Sequence, residues 1–290
     1  MSTTATEPDA KPRRLSWLRP PPAAEDGTMA LMDHLREVRY RLTISVIAVV
    51  LAALAAIAFY SQLISFILYP YNQAVDAIRA SRPDAEFLIV NNGVMSPLTL
   101  GIIACGVAGL LAASPVWIYH LWAFVAPGLV AKEKKYAAGF LGAAVPLFLL
   151  GCTLGYFIWP KGITVMLSFT PKGLDITNLL DMASFLSLEI KIILVFGVSF
   201  LLPVVLVALN MAGVVKGQQL VKSRKFVIFG TFVFAAVATP STDPVSMMAL
   251  ALPMTVLYMI AEAICLILDK RKGITEKAVT EWSIDVNDGK

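Results

Sequence analysis

Residues 184–212 read SFLSLEIKIILVFGVSFLLPVVLVALNMA, an apolar run whose only charged side chains are Glu189 and Lys191. A helix rises 1.5 Å per residue, so about 20 such residues cross the roughly 30 Å of hydrocarbon in a bilayer. This run is long enough to do so. Working outward, similar runs occupy about 42–62, 98–124, 137–160 and 245–268, with a shorter one at about 226–238. The chain has 290 residues, 58% hydrophobic and only 15% charged, against about 25% charged in ordinary soluble domains. Its mean hydropathy is +0.74. Only helices and closed barrels satisfy the backbone in lipid, and no barrel-like alternation is present. The fold class is therefore all-α: a polytopic membrane protein with six transmembrane helices, the last two short and joined by the tight turn Thr239-Pro240-Ser241-Thr242-Asp243-Pro244.

Basic residues orient the spans. Arg36, Arg39 and Arg41 precede the first; Lys132, Lys134 and Lys135 follow the second; Lys216, Lys222, Arg224 and Lys225 follow the fourth; Lys270, Arg271 and Lys272 follow the last. The alternate loops hold only Arg79, Arg82, Lys161 and Lys172. Both termini are expected in the cytoplasm, with outer loops at about 63–96, which has some helical and polar character, and at about 161–183. Residues 1–28 and 273–290 read as disordered cytoplasmic tails flanking a membrane domain over 29–272. Pro115, Pro146, Pro203 and Pro253 lie within spans and predict kinks and a curved, concave assembly. The net charge of +4 belongs to the inner loops and does not point to nucleic acid.

Catalytic patterns are missing. No G-x-x-x-x-G-K-[ST], G-x-S-x-G or H-E-x-x-H occurs. Cys105, Cys152 and Cys265 sit in apolar runs, and His34 and His120 have no metal-ligand spacing. Neither an enzyme nor a metal or other cofactor is expected. The informative residues are the charged ones at or inside the membrane: Glu37, Arg39, Glu133, Glu189 and Glu262. A carboxylate there is costly without a partner, and such residues mark binding sites or pathways. Leu35, Val38 and Leu42 form one face of an amphipathic helix that carries Glu37. Glu37 and Glu133 fall on neighbouring cytoplasmic edges and would suit a ligand bearing guanidinium groups. Glu189 reads either as a polar site facing the protein interior or as an interfacial residue. Glu262, near the cytoplasmic end of the last span, reads as a snorkelling side chain.

Specific motifs add to this. The run His34-Leu35-Arg36-Glu37-Val38-Arg39-Tyr40-Arg41-Leu42 precedes span one, and Ser96-Pro97 precedes span two. Ser114-Pro115-Val116-Trp117-Ile118-Tyr119-His120-Leu121-Trp122-Ala123-Phe124-Val125-Ala126-Pro127-Gly128-Leu129 is followed by Lys132-Glu133-Lys134-Lys135. Phe196-Gly197-Val198-Ser199-Phe200 with Pro203, Thr239-Pro240 with Asp243, and Leu252-Pro253-Met254 complete the set. Over roughly residues 29–272 the chain resembles the TatC family, the polytopic receptor subunit of twin-arginine protein translocases. The resemblance implies that Glu37 and Glu133 bind the paired arginines of signal peptides, supported by Arg39, Phe124 and Pro127. It implies a role for Pro70, in Leu68-Tyr69-Pro70, as the family's proline of the first outer loop, and for Asp243 as the acidic residue of the last outer turn. It implies TatA- and TatB-like single-span partners, assembly into multimers, and transport driven by the proton-motive force in a bacterial cytoplasmic membrane. One position departs from the pattern. Many family members carry Glu or Gln in span four where this chain has Leu201. Glu189 lies about 18 Å further toward the outer face at 1.5 Å per residue, and is a candidate displaced polar contact for a partner helix.

Two function classes remain open on the residues themselves. One is a receptor and scaffold for protein export. The other is a proton- or cation-coupled secondary transporter with Glu189 and Glu262 as its ion path, although no repeated halves are visible. The charge distribution predicts that a reporter enzyme fused after Lys290 is active only when it needs the cytoplasm. Activity only outside it would invert the topology.

Overall fold

The computed structural model describes residues 31–81, 87–125, 134–169, 178–238 and 244–271. Among them, the helices run α1 Leu31–Ala56, α2 Tyr60–Ser81, α3 Ser96–Ala112, α4 Ser114–Val125, α5 Lys134–Ser168, α6 Met182–Met211, α7 Gly217–Ala238 and α8 Pro244–Arg271. Two short strands, β1 Phe87–Val90 and β2 Asn178–Asp181, pair in parallel with Phe87 opposite Asn178 and Val90 opposite Asp181. Residues 35–80, 139–168, 182–211 and 247–270 are long and apolar enough to cross a bilayer, and the bent pair α3–α4 brings the number to five. The chain is thus an all-α polytopic membrane protein with a small strand pair added. The expected tails at 1–28 and 273–290 lie outside the described residues.

Several expected boundaries move. The first outer loop is largely helix: a 3-10 turn at Ile57–Phe59 links α1 to α2, and Pro70 sits inside α2. The third span does not end at Trp159-Pro160, because α5 continues through Pro160 to Ser168. Proline lacks the N–H but its ring is compatible with helical φ, so the surrounding helix carries it through. The second span is two helices bent by 61° at Ala113, just before Pro115. The inner loop after span four is mostly the first half of α7. The strands were not foreseen, since their four-residue stretches are too short to show periodicity.

The α5–α6 seam organises the bundle. A Cβ on Gly151 would lie 2.6 Å from the Phe196 carbonyl oxygen, and one on Gly155 would lie 3.2 Å from Ile193 Cα. A Cβ on Gly197 would run into Cys152 Sγ and come within 2.8 Å of Phe148. Close backbone approach through small residues is how membrane helices gain contact where hydrophobic driving force is lacking. α1 and α3 use the same device, with Gly109 against the Ala53 backbone. Around the seam, Trp159 of α5, Phe185, Leu186 and Phe196 of α6, Tyr71 and Ile78 of α2, and Leu250 and Met254 of α8 form the main buried cluster. Leu42, Val46, Val50 and Leu54 of α1 stay exposed, as expected for a face turned to lipid.

Gly197→Ala is expected to destabilise the protein by about 1–3 kcal/mol through overpacking, seen as a lower unfolding midpoint in detergent. Gly139→Ala is the control, because a Cβ there meets nothing within 4 Å; it is expected to be neutral or mildly stabilising.

Candidate functional site

Glu37 lies near the start of α1 and is only 7% exposed. Arg41, one turn on, donates Nε–H to Glu37 Oε1 at 2.9 Å and Nη2–H to the same oxygen. Spacing of four residues puts the two groups on one helix face. Both bonds converge on Oε1 and neither uses Oε2. Arg39 points away and is exposed; its backbone carbonyl accepts from Thr43 Oγ1 at 2.8 Å.

α1 packs against α4. Between them lies a cleft of about 220 Å³ lined by Val38, Arg41, Leu42, Ser45, Trp117, His120 and Leu121. Arg41 and His120 are within electrostatic reach of each other. Taken together, the bent α3–α4 pair runs antiparallel to α1, since Gly109 of α3 meets Ala53 while His120 of α4 shares the cleft with Arg41. One turn further along α4, toward its end, is Phe124; one turn back along α1 is Glu37. The backbone therefore brings these two positions to the same end of the cleft. The side chain of Phe124, and all of Pro127 and Glu133, lie outside the described residues, as does Asp243. The Trp117 indole secures the bend above the cleft by donating to the Leu110 carbonyl at 3.0 Å, from α4 back to the last turn of α3.

Glu262 does not snorkel. It is 3% exposed and held by Arg224 of α7, whose Nε–H donates to Oε2 at 3.0 Å and whose Nη2–H donates to Oε1. The hydrogen bonds and the carboxylate charge push the Arg224 pKa up. Nearby, Asp269 of α8 accepts the Gly217 N–H at 2.6 Å and the Asn210 amide at 2.9 Å. Tyr258 adds a bond from its hydroxyl to the Leu220 carbonyl at 2.9 Å. The sequence offered no signal for these cross-helix pairs, because their partners are 38 to 59 residues apart.

Glu189 is completely buried, and neither of its carboxyl oxygens has a hydrogen-bond partner among the described residues. The interior reading holds over the interfacial one, and the side chain does not lie on a surface open to a partner helix. Lys191 is exposed. Glu189 and Glu262 form no continuous path: Glu189 to Asn210 spans about 30 Å of α6 at 1.5 Å per residue, and Glu262 lies near the Asn210 end. Leu201, on an intermediate turn, packs among Ile118, Phe148 and Cys152 in an apolar cluster. At the start of α6, Asp181 caps the helix, accepting from Ser184 N at 3.0 Å, Ser184 Oγ at 2.7 Å and Asn92 N at 3.3 Å. Those bonds, led by the Ser184 hydroxyl, hold the Asp181 carboxyl below its usual range.

Fold and site together define a class: a multi-pass helical membrane protein whose buried Glu37, Glu262 and Asp269 carboxylates are held by partners on the same or a neighbouring helix. The chain belongs to the TatC family, since residues 33–253 match the family described as Sec-independent protein translocase protein (TatC). A protein of that description from Frankia casuarinae is 34% identical over 270 residues, 91% of this chain and 72% of that protein. Another from Aquifex aeolicus is 33% identical over 251 residues, 86% of this chain and 100% of that protein. A solved structure described as the twin arginine translocase receptor TatC superposes with a TM-score of 0.63 at 31% identity, covering 80% of this chain and 97% of that one. The chain is accordingly a component of the twin-arginine protein translocase.

The depressed Asp181 pKa fixes a sign. A carboxyl lowered in the fold contributes stability that is present above its unfolded pKa and lost as pH falls through the folded value. Amide exchange at Ser184 and Asn92 is expected to stay protected at pH 5 and to lose protection only below the ordinary aspartate range. Asp181→Ala should remove that protection at both pH values.

Proposed function

We propose that the chain is the receptor subunit that reads the paired arginines of signal peptides and scaffolds export of folded proteins. Glu37 carries this reading. Its buried carboxylate is bonded to Arg41, which lines an apolar cleft, with one oxygen engaged by Arg41 and the other not used by that pair. A guanidinium can approach such an oxygen in a charge-assisted hydrogen bond. Glu133 is the proposed second carboxylate, with Arg39, Phe124 and Pro127 in the supporting surface. The cleft between α1 and α4 offers apolar contact to the hydrophobic segment that follows the arginines.

The remaining features of the reading rest on family membership. α7 is the proposed sixth span, its first half basic with Lys222, Arg224 and Lys225. The membrane domain spans 29–272 between cytoplasmic tails, in a bacterial inner membrane. Single-span TatA- and TatB-like proteins join further copies of the chain in the working complex, and the proton-motive force drives transport. Pro70 and Asp243 act in the outer part of the molecule. No observation favours a secondary transporter: Glu262 is forked onto Arg224 and lies far along the bundle from Glu189.

The test is photocrosslinking from probes at positions 37 and 133 to a twin-arginine signal peptide and to its twin-lysine variant. Crosslinks that weaken at least tenfold with twin lysine are expected, because each charge-assisted bond contributes about 1–3 kcal/mol. Equal crosslinking to both peptides, or none to either with the protein folded, removes the reading.

A further inference from the structure

In α2 the Phe66 carbonyl should accept the N–H of residue 70. That residue is proline, which has no N–H, and its side chain is less than 2% exposed. A carbonyl left open within a bilayer must find another donor. It finds one on a different helix: the Tyr156 hydroxyl of α5 donates to the Phe66 carbonyl at 2.7 Å. The Tyr156 ring also stacks on the Phe66 ring, centroids 4.5 Å apart and planes parallel. On adjacent turns Tyr71 of α2 meets Phe185 of α6 edge-on at 5.5 Å, and Trp159 of α5 lies 5.9 Å from the same ring. Tyr156 is also within electrostatic reach of the buried, unpartnered Glu189.

We propose that Tyr156 is a positioning residue for transport: its hydroxyl replaces the donor that Pro70 withholds, and this single bond fixes the α2 arm on α5 beside buried Glu189. Pro70 then matters less for the shape of its own helix than for the acceptor it exposes. An ordinary residue at 70 would close the carbonyl within α2 and leave the Tyr156 hydroxyl without its role. The transport part of the proposal rests on the receptor reading above; the bond exchange between Pro70 and Tyr156 does not.

The test compares Tyr156→Phe, Pro70→Ala and the double variant, each in the full-length protein in lipid nanodiscs and in membrane vesicles with its partner subunits. Hydrogen exchange of the α2 amides around residues 67–74 is the first readout. Tyr156→Phe is expected to speed it several-fold. In the Pro70→Ala background the same change is expected to do nothing, because alanine at that position supplies the missing N–H. The second readout is export of a twin-arginine substrate, expected to fall several-fold when Tyr156→Phe is made in the parent and to show no further fall when it is added to Pro70→Ala. Signal-peptide crosslinking at position 37 in the same vesicles should stay at the parent level. If it is lost in the parent too, the receptor reading has failed and the exchange data still decide the bond. Unchanged exchange in Tyr156→Phe, an effect that persists in the Pro70→Ala background, or undiminished export each overturns the proposal.

Discussion

A backbone carbonyl inside hydrocarbon has no water to fall back on, and this chain places prolines where that matters. Two carbonyls, one at a helix bend and one opened by a proline, are answered by an aromatic side chain. At the α3–α4 bend the Trp117 indole reaches back to Leu110; in α2 the Tyr156 hydroxyl reaches across to Phe66. In both cases the donor is polar at its tip and apolar in its body, so it can be buried while making its bond. Several hydroxyl side chains instead stay local: Thr153, Thr164 and Ser199 each bond the carbonyl four residues back. The cross-helix donors therefore do something the local ones cannot, which is to couple one helix's irregularity to another helix's position.

Charge follows a different rule at the two ends of the bundle. Glu37, Glu262 and Asp269 are each answered by Arg41, by Arg224, or by Asn210 and the Gly217 amide. Burying one partner of a pair without the other costs several kcal/mol; Arg41 answers from one turn away, and the partners of Glu262 and Asp269 come from 38 to 59 residues away. Glu189 is the exception, buried without a hydrogen bond among the described residues. The α5–α6 glycine seam is what allows such close packing around it.

Much of the fold was legible in the sequence, because long apolar runs and basic loops follow directly from the bilayer's thickness and charge preference. The all-α membrane class, the long run at 184–212 and the interruption at Pro115 are present in the structure in that form. The continuation of α5 past Pro160 and the full extent of the helix over 60–81, of which only some helical character showed, were not legible, since local chemistry cannot say when neighbouring helices will support a proline. Of the site, Glu37 was readable from its place on an amphipathic helix. Its pairing with Arg41 follows the four-residue spacing, yet the convergence on one oxygen does not. Trp117 and Tyr156 looked like ordinary apolar bulk, because their significance depends on carbonyls that only the folded chain leaves open. Arg224 looked like a loop cation until α8 brought Glu262 beside it.

Asp269 is a knot in a mechanical sense. It lies within the last turn of α8, binds the first amide of α7 and the side chain that closes α6, and a Cβ on Gly217 would lie 2.9 Å from the Leu266 backbone nitrogen. Three helix ends are thus lashed at one point just before residue 272. Any pull on the chain beyond that point is borne by α6 and α7 together with α8, so a load applied at the C-terminal segment is felt along the seam that holds the whole bundle.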